Sequence, residues 1–272
     1  MSDGGQDDAG FIYYDINGDG TPDTRGVLGY SINFGPKFDG QPTMSWDGVI
    51  RPYEAQDNNY GGLFQQAHNL ISSIAVSRGS ENSSTRLSFT RQENEGISLG
   101  SQNDKNIFNL NNTFNLGKKY TVDLVVNYIN QKTKNRPYSV DRLTNNFTGM
   151  IGRFDNADWY LNKYKTSKGY RFVTGSNQSL TPEENIIYNG MKGDLMDYVW
   201  RVKENQSEEL SDRVISSITN TWEIVNGLRL RGRVAADITS LRTENRNSTE
   251  VPLTFGNSGM FSMENYSNIG RA

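Results

Sequence analysis

Ile107-Phe108-Asn109-Leu110-Asn111-Asn112-Thr113-Phe114-Asn115-Leu116 decides the fold. Phe108, Leu110, Phe114 and Leu116 share one side of an extended chain, and Asn109, Asn111, Thr113 and Asn115 share the other. Side chains alternate across a strand, so this is a half-buried β-strand and not a helix. After Gly117-Lys118-Lys119 the alternation resumes with Tyr120, Val122, Leu124, Val126 and Tyr128 against Thr121, Asp123 and Asn127. A second pair lies near the C-terminus. Val214, Ile218, Trp222 and Ile224 lead to Asn226-Gly227, a strong hairpin-turn dipeptide, and then to Leu228, Leu230, Val234, Ala236 and Ile238.

The polar side of these strands is mainly Asn, Ser and Thr rather than Lys and Glu. Two architectures fit: a soluble β-sandwich, and a transmembrane barrel wall with lipid on one side and a wet lumen on the other. Strand length favours the wall. Lys105–Leu116, Tyr120–Gln131, Asp212–Val225 and Leu228–Leu241 each exceed ten residues. Sandwich strands run about 5–6 residues, and a tilted membrane strand needs ~9–11. The expected fold class is therefore all-β: a partial antiparallel transmembrane β-barrel wall of roughly six strands, with long irregular loops. Closure takes more strands, since the smallest bacterial barrels have about eight.

Composition agrees. Of 272 residues only 34% are hydrophobic, and the net charge is −3. A low apolar share suits a single-layer wall better than a two-layer core, and no basic run provides an electrostatic footprint for nucleic acid. There is no cysteine, hence no disulfide and no thiolate metal site. The polar, acidic start Met1-Ser2-Asp3-Gly4-Gly5-Gln6-Asp7-Asp8 is not a signal peptide, and no apolar run nears the ~20 residues of a membrane helix. These ends lead us to expect an internal fragment of a longer barrel protein.

Residues 1–69 are rich in Gly, Asp and Asn and read as an irregular junction and loop region with short strand pieces. Residues 70–272 read as the partial barrel, with a long loop at about 134–210. Within that loop Leu143, Phe147, Met150 and Phe154 have helical spacing, which predicts a short helix inside Asp141–Tyr164. Short turns on one side and a long excursion on the other are the usual asymmetry of a membrane barrel.

The sharpest local motif is Asp15-Ile16-Asn17-Gly18-Asp19-Gly20-Thr21-Pro22-Asp23. Asp15, Asn17, Asp19 and Asp23 place oxygens at positions 1, 3, 5 and 9 of an EF-hand-like loop, with Gly20 at the sixth. They are the candidate calcium ligands. Position twelve is Gly26 instead of the bidentate Glu, and no flanking helices are predicted, so a solvated Asx-rich turn competes with the metal reading. Other chemistry is thin. His68 is the single histidine, and the pairs Asp7-Asp8, Glu183-Glu184 and Glu208-Glu209 read as solvated turns rather than glycosidase carboxylates. No enzyme is expected, and no cofactor beyond the candidate Ca²⁺. Trp46, Tyr53, Tyr60, Trp159, Tyr160, Tyr198 and Trp200 lie in irregular segments, either as core or as platforms for sugar rings.

Several segments together resemble the SusC/RagA family of TonB-dependent outer-membrane transporters. Phe34-Gly35-Pro36-Lys37-Phe38-Asp39-Gly40-Gln41 is similar to the family's aromatic-Gly-Pro-Lys-aromatic-Asp-Gly-Gln segment, and Arg51-Pro52-Tyr53-Glu54-Ala55-Gln56-Asp57-Asn58 to the stretch after it. Asn69-Leu70-Ile71-Ser72-Ser73-Ile74-Ala75-Val76-Ser77-Arg78-Gly79, with Thr85–Thr90 and Glu95-Gly96-Ile97, resembles the family's first barrel hairpin. Asn127-Tyr128, Asn135-Arg136-Pro137 and Leu228–Val234 match further wall strands. Nothing here resembles the plug domain, the TonB box or the terminal aromatic signal. The resemblance implies a nutrient importer of the outer membrane, in contact with lipid and using TonB energy and a SusD-like lipoprotein partner. Its cargo would be oligosaccharide or peptide. The alternative is a soluble β-sandwich, a calcium-dependent glycan-binding module.

Overall fold

The computed structural model describes residues 7–27, 35–137, 151–171, 190–250 and 259–271. The chain is mostly β and divides into two compact units. One comprises Met1–Gln65, Tyr138–Asn205 and Ser248–Gly259; the other comprises Gln66–Pro137, Gln206–Asn247 and Met260–Ala272.

The first unit holds a small sheet of β1 (Phe11–Tyr14), β2 (Thr24–Val27), β3 (Pro42–Met44) and β4 (Ile50–Pro52), paired in that order. Pairing is antiparallel except for one parallel contact, Gly26↔Met44, between β2 and β3. A short 3-10 helix, Tyr60–Leu63, and two α-helices, α1 (Ala157–Asn162) and α2 (Gly190–Glu204), complete it. Asn156 caps α1 by accepting the Asp158 N–H at 2.9 Å. The core gathers Ile12, Met44, Trp46, Leu63, Tyr160 and Val199, all buried. Sequence reading gave residues 1–69 only short strand pieces, because β1 to β4 are three or four residues long and cannot show a period. It found no helix at α2, whose Gly190 and Gly193 dilute the pattern ahead of Leu195. Leu143, Phe147, Met150 and Glu183-Glu184 lie outside the described residues; the helix present near the expected one is α1.

The second unit is a single sheet of seven strands: β5 (His68–Gly79), β6 (Ser83–Glu95), β7 (Gln102–Leu116), β8 (Tyr120–Lys134), β9 (Gln206–Val225), β10 (Leu228–Asn247) and β11 (Met260–Arg271). Every strand pairs antiparallel with its sequence neighbour, and β5 and β11 form the two edges, so the sheet is not closed. The sheet exceeds the roughly six strands expected because β11 was missed. Phe261, Met263 and Ile269 point to one side and Met260 and Tyr266 to the other, so β11 has no clean alternation. The strands do not pack as two facing sheets.

Two features of this sheet are regular. The hairpins at Gly117 (φ 73°) and Gly227 (φ 87°) turn tightly on left-handed glycines. Successive turns are also staggered by a constant amount. Gly79↔Ser84 closes the first hairpin, and Ser84 pairs with Thr113, three residues before the closing pair Leu116↔Tyr120. Tyr120 pairs with Trp222, again three residues before the closing pair Val225↔Leu228. At ~3.4 Å per residue and ~4.8 Å between strands, turns held level require a strand tilt of roughly 45°. The longer connections, 135–205 and 248–259, leave and re-enter at the ends of the strands opposite these turns.

Candidate functional site

The sheet is two-faced. Cross-strand pairs put Ile74, Phe89, Phe108, Tyr128, Val214, Ile238 and Ile269 in one row across all seven strands. On the turn side of that row the same face carries Val76, Leu87, Leu110, Phe114, Leu116, Val122, Ile218, Trp222, Leu230 and Val234. Many of these are exposed, Val234 to 72%. A groove of about 290 Å³ lies among Ile74, Val76, Leu87, Phe108, Leu110 and Tyr128. On the other side of the row the face turns polar: Ser72, Arg91, Asn106, Asn130, Asp212, Ser240 and Ser267. The apolar residues therefore form a bounded and largely exposed belt, and a contiguous exposed apolar surface of this kind marks a contact site. Its lower limit follows the stagger, from Val76 on β5 to Leu116 on β7 and Ile224 on β9.

Aromatics mark its limits. Phe89, Phe108 and Tyr128 form one cross-strand group, with centroids 4.7 Å apart for Phe89–Phe108 and 6.0 Å for Phe108–Tyr128. Tyr120 and Trp222 pair at the turn end. Tyr128 donates its hydroxyl to Asp212 Oδ1 at 2.6 Å, and Tyr120 to Asn220 Oδ1 at 2.8 Å. Each ring lies on apolar neighbours while its hydroxyl reaches a polar group.

The opposite face is mainly polar, with Ile71, Ile107, Val125, Ile129, Ile215 and Leu241 interspersed. Its side chains bond across strands: Ser73 to Thr90 (3.0 Å), Asn109 to Ser88 (3.3 Å), Thr113 to Asp123 (2.8 Å) and Thr121 to Asn115 (3.1 Å). Arg213 forms a bidentate pair with Asp237. Arg229, Arg231 and Arg233 follow at alternate positions on β10. Sequence reading quoted this stretch as a wall strand and overlooked its three like charges, although the signal, Leu-Arg-Leu-Arg-Gly-Arg-Val, was in plain view.

In the first unit the aromatics are mainly core. Trp46, Tyr53, Tyr160, Tyr198 and Trp200 are buried, and Trp46 stacks on Tyr160 at 4.5 Å and 17°. Of the seven offered as sugar platforms, only Tyr60 and Trp159 keep partial exposure, and the Arg51 guanidinium already covers Trp159 at 3.9 Å. Arg51 is held by two hydrogen bonds to Asp47. Burial raises the Asp47 carboxyl, but the hydrogen bonds and charge of Arg51 outweigh it and leave the pKa below the ordinary value. Burial, followed by the charge of Asp155, holds Tyr160 well above the usual phenol range.

The Asp-rich motif forms the loop between β1 and β2. Its oxygens converge on its own backbone. Asp15 accepts the N–H groups of Gly18 (2.6 Å), Gly20 (2.7 Å) and Asp19 (3.2 Å). Asn17 accepts from Asp19 N (2.8 Å), Asp19 from Thr21 N (2.7 Å), and Asp23 from Ile16 N (2.8 Å) and Asn17 N (3.1 Å). The Gly20 amide bond, offset in part by desolvation, holds the Asp15 pKa below the ordinary carboxylate value. This is the hydrogen-bond pattern of an Asx turn. Among the described residues no group of three or more His, Asp or Glu is arranged to hold a metal ion. His68 lies at the start of β5, 3.3 Å from Glu95 and exposed to solvent. Among the described residues no helix is long and apolar enough to cross a membrane, which leaves spanning by strands untouched.

Comparison with protein-family models and with curated proteins returns no match.

Proposed function

We propose that the sheet is a section of an outer-membrane β-barrel wall, and that the chain belongs to a SusC/RagA-like TonB-dependent transporter rather than to an enzyme. The observation that carries this reading is the bounded apolar belt on a staggered sheet whose other face is mainly polar and rich in Asn, Ser and Thr. Membrane barrels tilt their strands about 35–45° and carry an apolar belt about 25 Å tall between aromatic girdles. On β9 the belt spans Val214 to Ile224, about 34 Å along the strand and about 24 Å in height at a tilt near 45°. A sheet immersed in water would leave this belt without cover.

In this reading the belt meets lipid, the Asn, Ser and Thr face lines the lumen, and the long excursions emerge on the side opposite the tight turns. Oligosaccharide or peptide cargo, a SusD-like lipoprotein and the TonB complex come from the family resemblance alone. The candidate calcium ligands Asp15, Asn17, Asp19 and Asp23 play no part in it.

The chain has no native cysteine, so single cysteines report cleanly. After refolding into lipid vesicles, a water-soluble maleimide should label Asn111→Cys and Thr121→Cys quickly and spare Ile218→Cys and Val234→Cys. Equal labelling of both faces, or cooperative folding to a monodisperse species in plain buffer, would instead establish a water-soluble module.

A further inference from the structure

The sequence holds three Asn-Gly dipeptides, Asn17-Gly18, Asn189-Gly190 and Asn226-Gly227, and Asn189 lies outside the described residues. Asn-Gly is the dipeptide most prone to spontaneous deamidation, because glycine has no Cβ to shield its backbone nitrogen from the preceding side-chain amide. The structure sets the other two apart. Both are exposed, and both glycines are left-handed, Gly18 at φ 78° and Gly227 at φ 87°, so neither access nor glycine conformation separates them. Hydrogen bonding does. Gly18 N–H donates to Asp15 Oδ1 at 2.6 Å, Asn17 Oδ1 accepts the Asp19 N–H at 2.8 Å, and Asn17 Nδ2 donates to Asp23 Oδ1 at 3.1 Å. Every reacting group at Asn17 is therefore held. Asn226 and Gly227 form the turn closed by the Val225↔Leu228 pair. There, neither the side-chain amide nor the Gly227 N–H has a hydrogen-bond partner among the described residues.

We propose that Asn226 is a site of spontaneous covalent modification, and that Asn17, in the same dipeptide, is protected by its turn. The Gly227 nitrogen gives its proton to solvent base and attacks Asn226 Cγ. A new N–Cγ bond closes a succinimide ring as the Cγ–Nδ2 bond breaks, and the amide nitrogen leaves as ammonia. Water then opens the ring at either carbonyl, to aspartate or isoaspartate. Both products add a carboxylate beside Leu228, and isoaspartate also inserts a methylene into the main chain of a two-residue turn, whose length sets the register of β9 on β10. At Asn17 the same attack requires Gly18 N to leave Asp15, whose carboxylate opposes a negative nitrogen, and the amide to leave Asp19 and Asp23. The inference concerns one hairpin and one loop, and does not depend on the medium that covers the apolar belt.

Incubation of the full chain in mildly alkaline buffer, folded in detergent micelles or unfolded in urea, tests this. Tryptic mapping with electron-transfer fragmentation gives the readout. Met1–Arg25 carries Asn17 as its only asparagine, and Val214–Arg229 carries Asn226 with Asn220 as an internal control. In the folded chain we expect Asn226 to convert at least about tenfold faster than Asn17, because attack at Asn17 first breaks three hydrogen bonds. In urea the two should convert at similar rates. Asp15→Ala, which releases the Gly18 N–H, should speed Asn17 about threefold or more and leave Asn226 unchanged. Equal rates at the two sites in the folded chain would overturn the proposal. So would a difference that persists in urea, or an Asn226 that converts in urea and stays intact when folded. These comparisons need no variant.

Discussion

The side-chain amide of Asn59 donates to the main-chain oxygens of Asp155 at 2.6 Å and Gly152 at 2.7 Å, joining segments more than ninety positions apart. Asn58 O accepts the Ala157 N–H at 2.8 Å beside it. The Asp155 carboxylate in turn accepts from Gly152 N (2.7 Å) and the Tyr160 hydroxyl (2.8 Å). All these groups sit at the margin of the aromatic core, so one amide holds the turn before α1 against the 3-10 helix. Removing it takes a donor from both carbonyls, while Gly152 O still accepts the Asp155 N–H at 3.0 Å, and each hydrogen bond lost costs about 0.5–1.5 kcal/mol. Asn59→Ala should therefore lower the unfolding midpoint of the first unit in denaturant, followed by the fluorescence of Trp46 and Trp200.

Gly62 is required for a different reason. A Cβ there would lie 2.1 Å from Asn58 Oδ1 and 2.7 Å from Ala157 Cβ, whereas one on Gly61 would meet nothing within 4 Å. Ala157 is fully buried and cannot give way. We expect Gly62→Ala to destabilise the unit by about 1–3 kcal/mol through overpacking, and Gly61→Ala to have little effect. Denaturation of the two variants side by side gives the difference.

The two faces of the sheet should respond oppositely to charge. Val234→Arg places a guanidinium within the belt, where membrane barrels lose about 2–4 kcal/mol near the midplane. Asn111→Arg adds the same charge to the polar face and should change refolding stability in vesicles little. Comparable losses from both would place both faces in the same medium.

Strand period made the long antiparallel sheet legible from the sequence. Phe108, Leu110, Phe114 and Leu116 keep to one face, interrupted by Asn112 alone, and within each hairpin the strand takes its partner from the next run across a tight turn. β11 was hidden because its apolar residues fall on both faces. The first unit was hidden for a deeper reason. Its strands are too short for any period, and its core is assembled from residues such as Trp46, Tyr160 and Val199 that no local pattern links. The loop aromatics could be read either way from sequence; burial decides five of them as core. The Asp-rich motif was read correctly as a turn, yet its carboxylates satisfy the backbone rather than converging on a common point.

Tyr53 gives the first unit an alkaline weakness. Its ring packs edge-on against Phe11 at 5.2 Å and Phe154 at 5.0 Å, its hydroxyl donates to Pro36 O at 3.1 Å, and burial pushes its pKa up to about 12. The folded pKa is raised above the unfolded value near 10. Its contribution is thus complete below about pH 10 and is lost as pH rises toward 12. Tyr53→Phe should flatten part of the stability decline between those values, measured by denaturant melts at stepped pH.

Calcium gives the last test. A cation competes for Asp15 only by displacing the N–H groups of Gly18, Asp19 and Gly20, which already neutralise much of its charge. Asp23 is similarly occupied by Ile16 and Asn17, and the Glu that would complete an EF-hand loop is Gly26. Wild type and Asp19→Ala should therefore respond to Ca²⁺ alike, with half-saturation at millimolar concentration or weaker. Amide chemical shifts of Gly18 and Gly20 provide the readout. A wild-type response at least tenfold tighter than that of Asp19→Ala would mean that the turn reorganises around an ion, and Asp15, Asn17, Asp19 and Asp23 would return as its ligands.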